Sequence, residues 1–245
     1  MSMEGRKGKL YGVGVGPGDP SLLTLKAVSV LLSCEVVAFP GKKREESLAY
    51  QTALKAVPEL PEKEGLPLFF PMTRKQEEKE LALQEAARQV KAVLMQGKDV
   101  CFITIGDVGI YSTFWGIAPK LQGDGFEIEV VPGIPSFCAA AASLSIPLVY
   151  EGEQLHVFPS QRGAVGVGVK GKEGEGKEEL PEGTCVFMKA GKLLPEVKNQ
   201  LVGASREVYG ASNLGREGER LYRSLNEIPE DAGYFTVVIA KEKKE

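Results

Sequence analysis

Histidine is almost missing from this sequence: His156 is the single one among 245 residues. Ser/His/Asp and Cys/His catalytic groups and histidine-ligated zinc sites therefore have almost no material to draw on. The four cysteines, Cys34, Cys101, Cys138 and Cys185, are widely spaced and form no C-x-x-C pair, so no metal is expected. Three of them sit in apolar, strand-like or helix-like surroundings and read as structural. His156 lies in Leu155-His-Val-Phe158, an apparent strand, where a satisfied edge or core histidine and a substrate contact are both open. Charge of one sign is lacking too: 30 Lys and Arg stand against 33 Asp and Glu, a net charge of −3. That balance argues against a general nucleic-acid or membrane-surface binder. No apolar run approaches membrane-spanning length, and the opening MSMEGRKGK has no apolar core of a signal peptide. These features predict a cytoplasmic protein with no membrane partner.

Two nucleotide signatures are also absent. In the stretch Lys9 to Thr24, KLYGVGVGPGDPSLLT, neither Gly12-x-Gly14 nor Gly14-x-Gly16 continues into G-x-G-x-x-G, and no Gly-Lys-Ser/Thr occurs anywhere. Dinucleotide and phosphate-loop sites need those last residues in place. The stretch still reads as strand, glycine loop and helix. Leu10, Tyr11, Val13 and Val15 are β-prone, and Asp19 with Pro20 reads as a helix start. A plain tight turn would need fewer glycines. In an open α/β sheet such a loop sits at the carboxyl edge, where ligands bind.

With 43% hydrophobic and 26% charged residues, the chain can bury a real core. Glu35 to Phe39 reads as a second strand, followed by the basic loop Lys42-Lys43-Arg44 and a helix from about Glu46 to Ala56. A Pro/Glu-rich connection from Pro58 to Pro67 leads into Leu68-Phe69-Phe70, then Arg74, Lys75 and a long helix to about Gln96 with an apolar side. The apolar run Asp99 to Ile105 suits a strand buried on both faces. It ends in a second glycine loop, Gly106-Asp107-Val108-Gly109-Ile110-Tyr111. Phe126 to Val131 is a further strand, and Pro132-Gly133-Ile134-Pro135 precedes a helix, Phe137 to Leu144, whose alanines at 139 to 142 predict close packing. Gln161 to Gly183 reads as a solvated loop between strands near 154 to 158 and 184 to 189. A helix over Leu193 to Val202 and strands at Arg206 to Tyr209 and Tyr234 to Ala240 complete the chain.

GVGVGPGDPSLLTLKA (12–27), FPG (39–41), FPMTR (70–74), IGDVGIYSTFW (105–115), VPGIPSFCAAAA (131–142), FMKAGK (187–192) and YFTVVIA (234–240) occur in one order across nearly the whole chain. Carrying them, the sequence resembles the tetrapyrrole methylases of the cobalamin branch. The resemblance implies two α/β domains, 1–131 and 132–245, with the active-site cleft between them, a homodimer, and S-adenosylmethionine as methyl donor, released as S-adenosylhomocysteine. It implies C-methylation of a reduced, carboxylate-rich tetrapyrrole, with carbon 20 of precorrin-2 or cobalt-factor II as the expected position. Another tetrapyrrole methylase, acting on uroporphyrinogen III or a later precorrin, and a noncatalytic binding protein of the same fold are the alternatives. A nucleotide-dependent oxidoreductase stands behind them.

Residue by residue, the resemblance places the cofactor at Pro17, at Ile105, Gly106, Asp107, Ile110 and Tyr111, at Ser136 and Phe137, and at Met188 and Lys189. Ala211, Ser212, Tyr234, Phe235 and Thr236 lie in flanking segments. Asp107, Tyr111 and Tyr234 are the candidates for handling the displaced proton. Val108 stands where many relatives have proline, which predicts a less rigid second loop. The basic residues Lys42, Lys43, Arg44, Arg74 and Lys75 follow the second and third strands and are expected to meet the substrate's carboxylates, with Arg44 and Arg74 as the strongest anchors because arginine can hold a carboxylate with two parallel bonds.

Overall fold

The β-prone run after Lys9 forms β1 (Leu10–Gly14), the first strand of a computed structural model that describes residues 6–73, 75–159 and 180–243. The chain divides into two compact units, 1–135 and 136–245. In the first, β1 joins β2 (Val36–Pro40), β3 (Glu64–Leu68), β4 (Val100–Thr104) and β5 (Ile128–Val131) in an all-parallel sheet of order β3-β2-β4-β1-β5, with β4 and β5 as its direct neighbours. Alternate residues of each inner strand enter opposite cores. Val36, Ala38, Val100 and Phe102 pack with α3 (Gln76–Leu94) and α4 (Ala118–Gly123). Val37, Phe39, Cys101 and Ile103 pack with α1 (Leu25–Ser33) and α2 (Leu48–Ala56). Burial on both faces explains why these strands read as continuous apolar runs, and each large side chain so buried contributes roughly 1.5–3 kcal/mol.

Two local expectations are corrected. Asp19 does cap a turn, accepting from the Ser21 N–H at 2.8 Å, but the turn is a single 3-10 one at Pro20–Leu22. The helix proper starts at Leu25, capped by Thr24 Oγ1 accepting from the Ala27 N–H at 3.1 Å. The third strand lies at Glu64–Leu68, inside the stretch read as a connection, and not at Leu68-Phe69-Phe70. It contains Gly65 and Pro67, which an edge strand tolerates and a central one does not.

The second unit holds α5 (Ser136–Leu144), β6 (Leu155–Pro159), β7 (Thr184–Met188), α6 (Leu194–Leu201), β8 (Arg206–Ser212), β9 (Arg220–Tyr222) and β10 (Thr236–Glu242). Its sheet runs β6-β7-β10-β8-β9, with β6 and β7 parallel and the remaining pairs antiparallel. Ala139, Ala140 and Ala141 are buried, and α5 packs on β8, β9 and β10. Leu194, Val197 and Leu201 of α6 join Phe187, Val208, Tyr222 and Val238 in one core. The segment expected to be a solvated loop falls outside the described residues from 161 to 179. Among the described residues no helix is long and apolar enough to cross a membrane.

Candidate functional site

β1 and β4 are neighbours, yet the chain leaves them toward opposite faces, to α1 and to α4. Their carboxyl ends therefore frame a switch-point crevice, the usual place for a ligand in such a sheet. The two loops are tied there by a pair of backbone bonds: Gly16 N–H donates to Gly106 O at 3.2 Å, and Gly106 N–H to Gly16 O at 2.7 Å. Asp107 extends the tie. Its Oδ1 accepts from the Gly109 N–H at 2.7 Å and its Oδ2 from the Gly133 N–H at 2.9 Å, so the second loop is fastened to the loop after β5. The glycines permit this closeness. A Cβ on Gly14 would stand 2.6 Å from Gly133 N and 2.7 Å from Gly106 O, and one on Gly133 would overlap Gly106 O.

Gly106 differs from its neighbours. Its φ is +77°, and nothing lies within 4 Å of where a side chain would begin. Bare backbone thus faces open space at the centre of the tied loops, which fits a ligand held by peptide groups rather than by charge. Pro17 is buried beside this point, Ile105 and Ile110 are half-buried, and Tyr111 is exposed with φ +50°. A non-glycine residue in that region stores strain of order 1–3 kcal/mol, a feature that clusters at ligand sites. Partial desolvation pushes the Tyr111 phenol above its ordinary range, which already lies well above neutral pH, so it keeps its proton there. Val108, which stands where many relatives have proline, is fully buried, and its carbonyl accepts from Trp115 Nε1 at 2.9 Å.

Because the strands are parallel, Lys42, Lys43 and Lys75 also follow carboxyl ends, those of β2 and β3. Lys42 lies over the Phe69 ring at 4.8 Å, and Lys75 pairs with Glu78 at 2.8 Å. Arg44 is placed otherwise. Its Nη1 donates to Pro61 O at 3.0 Å and its Nη2 to Lys63 O at 2.7 Å, across Gly65 and over the Tyr50 ring. That engages two of the guanidinium's donors in holding the chain before β3. Arg74 lies outside the described residues.

In the second unit, pairing of Met188 with Val237, Ala211 with Val237 and Ser212 with Thr236 brings three expected segments to one end of the sheet. Met188, Ala211, Ser212 and Thr236 are nearly fully buried. The hydroxyls are used internally: Thr236 Oγ1 donates toward Ala232 O and Gly233 O, and Ser212 Oγ lies 3.2 Å from Tyr222 Oη. Lys189 follows with φ +56°, and burial pulls its ammonium below the ordinary lysine range. The Tyr234 and Phe235 rings meet edge to face at 5.0 Å. Ser136 and Phe137 open α5. His156 is an edge-strand residue whose Nε2 lies 3.0 Å from Glu182 O. The sequence reading passed over Gly133, Trp115 and Arg216. The first two lie in quoted stretches, as the partner of a carboxylate and the chain's one tryptophan.

Among the described residues no cluster of His, Cys, Asp or Glu could hold a metal ion. Comparison with known proteins gives one consistent result. The sequence model of the tetrapyrrole (corrin/porphyrin) methylases matches residues 9–229. A probable cobalt-precorrin-2 C(20)-methyltransferase of Methanocaldococcus jannaschii is 41% identical over 152 residues, 62% of this chain and 64% of that protein, just under two thirds of its length. The cobalt-precorrin-2 C(20)-methyltransferase of Salmonella typhimurium is 31% identical over 244 residues, covering 97% of this chain and 98% of that one. The fold is shared with uroporphyrin-III C-methyltransferase from Thermus thermophilus, solved with S-adenosyl homocysteine, at a TM-score of 0.63 and 22% identity over 96% of this chain and 98% of the other.

Proposed function

The chain belongs to the tetrapyrrole methylases, and on that premise we propose that it transfers a methyl group from S-adenosylmethionine to carbon 20 of precorrin-2 or of its cobalt-containing counterpart, in cobalamin biosynthesis. The observation that carries the reading is the tied trio of loops with open space beside Gly106, in a chain that aligns end to end with a C(20)-methyltransferase. When bound, S-adenosylmethionine would supply an electrophilic methyl on a sulfonium, so that a C–S bond breaks, a C–C bond forms, and the proton of the ring carbon passes to solvent. The protein's own work is then positioning, which in favourable cases accounts for roughly 7–11 kcal/mol of a barrier.

Each candidate residue has a part in that work. Gly16, Pro17, Ile105 and Gly106 offer backbone at close range, and Ile110 an apolar wall. Asp107 acts as a positioning residue through the two amides it accepts from. Tyr111, which keeps its phenolic proton, and Tyr234 orient the ligand by donating hydrogen bonds. Ser136, Phe137, Met188, Lys189, Ala211, Ser212, Phe235 and Thr236 complete the cofactor contacts, and Lys42, Lys43 and Lys75 face the substrate's carboxylates. A homodimer belongs to the same proposal, and sedimentation would detect it.

Incubation with methyl-labelled S-adenosylmethionine and a panel of reduced tetrapyrroles, with and without cobalt, tests the reading. Label at carbon 20 is expected. Label elsewhere, or only on uroporphyrinogen III, would move the protein to another branch of the family. Binding of S-adenosylhomocysteine with no transfer to any tetrapyrrole would make it a silent binder.

A further inference from the structure

Arg216 lies in the turn between β8 and β9, where its N–H donates to Asn213 O at 3.0 Å. Its guanidinium stacks on the Phe235 ring, 4.2 Å from the centroid. For a half-buried cation it is poorly partnered. Among the described residues its one side-chain acceptor is Asn213 Oδ1, 3.4 Å from Nη2, and Nε is buried with none. Glu219, three residues on, makes no ion pair with it; its Oε2 accepts from the Gly215 N–H at 2.6 Å. Burial holds Arg216 below the ordinary arginine range.

The same unit shows what satisfied buried cations look like. Arg206 donates to Gly183 O and Pro181 O beside Glu242, and Lys241 donates to Pro147 O and Leu148 O at 2.8 and 2.7 Å. Among the described residues Arg216 has no such set. Leaving a buried charged donor unpaired is costly, so a fold keeps one where something else completes it.

A second cation lies at the same end of the sheet. Lys189 follows β7 in a left-handed conformation, largely buried, with no acceptor or carboxylate partner among the described residues. Ala190 N–H donates to Thr236 O and Asn213 N–H to Phe235 O, both at 3.2 Å. The ends of β7, β10 and β8 therefore stand side by side, and with strands about 4.8 Å apart the backbones at Lys189 and Asn213 are roughly 10 Å apart. That is within the reach of one lysine and one arginine toward a single anion.

We propose that Arg216 and Lys189 form a carboxylate receptor at this end of the second sheet, with Phe235 as the platform that presents the guanidinium. The assignment rests on the methyltransferase reading, in which two ligands carry carboxylates: the tetrapyrrole through its side chains and S-adenosylmethionine through its amino-acid end. The stacked guanidinium offers a flat fork suited to a carboxylate, and the desolvated surroundings strengthen the pair.

The test titrates full-length wild type and Arg216→Gln with S-adenosylhomocysteine and with 5′-methylthioadenosine, which lacks the amino-acid carboxylate, and measures the tetrapyrrole Michaelis constant. A ten- to hundredfold loss confined to one carboxylate-bearing ligand is expected. Weaker S-adenosylhomocysteine with unchanged methylthioadenosine places the carboxylate on the cofactor. Unchanged S-adenosylhomocysteine with a raised Michaelis constant places it on the tetrapyrrole. No change in any ligand, or an equal loss for the two adenosines, would overturn the receptor and leave Arg216 a packing residue. Lys189→Met should weaken the same ligand, and weakening only the other one would overturn the pairing; this variant also carries the test should Arg216→Gln fail to fold. Wild type that binds neither adenosine would instead remove the methyltransferase reading, and the receptor with it.

Discussion

Asp107 joins two loops because each of its oxygens accepts one backbone N–H, from Gly109 and from Gly133. Asparagine has a single acceptor oxygen, so Asp107→Asn must lose one of these bonds and turn an N–H₂ toward a donor. A hydrogen bond to a charged group is worth about 1.5–3 kcal/mol. Asp107→Asn should therefore lower the melting temperature by several degrees and weaken S-adenosylhomocysteine at least tenfold. Melting and calorimetry on the same sample separate the roles: loss of affinity at unchanged stability would mean that the carboxylate touches the ligand itself. The glycines divide in the same way. Gly133→Ala sets a Cβ against the backbone of Gly106 and Gly14, which cannot move aside, and should prevent the loops from closing. Gly106→Ala meets open space and has only φ +77° against it, a cost of about 1 kcal/mol. If urea denaturation finds the two variants equally damaged, close backbone approach is not what Gly133 provides.

At the scale of elements, Arg44 shows what topology adds to a residue type. A basic residue after β2 reads as a carboxylate anchor, but the strand beside β2 is β3, and Arg44 is spent on the carbonyls that lead into it. Arg44→Ala should cost about 1–3 kcal/mol of stability and leave the tetrapyrrole Michaelis constant within about twofold. A Michaelis constant raised severalfold at unchanged melting temperature would restore the original reading. The inner strands of the first sheet were legible because burial on both faces writes itself as an apolar run. β3 was not, since an edge strand with Gly65 and Pro67 carries no such pattern. Arg216 was illegible for a related reason: antiparallel pairing of β7, β10 and β8 joins segments some twenty to fifty residues apart, and nothing local announces it. Charge also fixes an edge. Lys26 and then Lys9 hold the Glu129 carboxyl down to about 2 from an ordinary 4.5, while Glu127 and Glu129 hold Lys9 above its ordinary value. The carboxylate's contribution is present above about pH 4.5 and is lost as pH falls toward 2; that of Lys9 is present below 10.5 and is lost as pH rises beyond it. Glu129→Gln should flatten the acid limb of a melting-temperature profile slightly, by less than about 1 kcal/mol because the pair is partly exposed. An unchanged limb would assign acid sensitivity to other carboxylates.

For the molecule as a whole, a chain of net charge −3 is proposed to take up a polycarboxylate, so attraction has to be local. The parallel sheet supplies a place for it: Lys42 and Lys43 after β2, and Lys75 after β3, lie on the rim that also carries Gly16 and Gly106. Lys75 is partly neutralised by Glu78, whereas Lys42 leans on Phe69, which holds its ammonium without cancelling its charge. Exposed charges of this kind act over about 8–10 Å at moderate ionic strength and affect capture more than the bound state. The double variant Lys42→Gln with Lys43→Gln should raise the tetrapyrrole Michaelis constant severalfold at low salt and flatten its salt dependence, while S-adenosylhomocysteine affinity stays within about twofold. Assays at two salt concentrations decide the matter, for a Michaelis constant with the same value and the same salt slope as wild type would make this rim a solvated surface and move recognition of the carboxylates elsewhere.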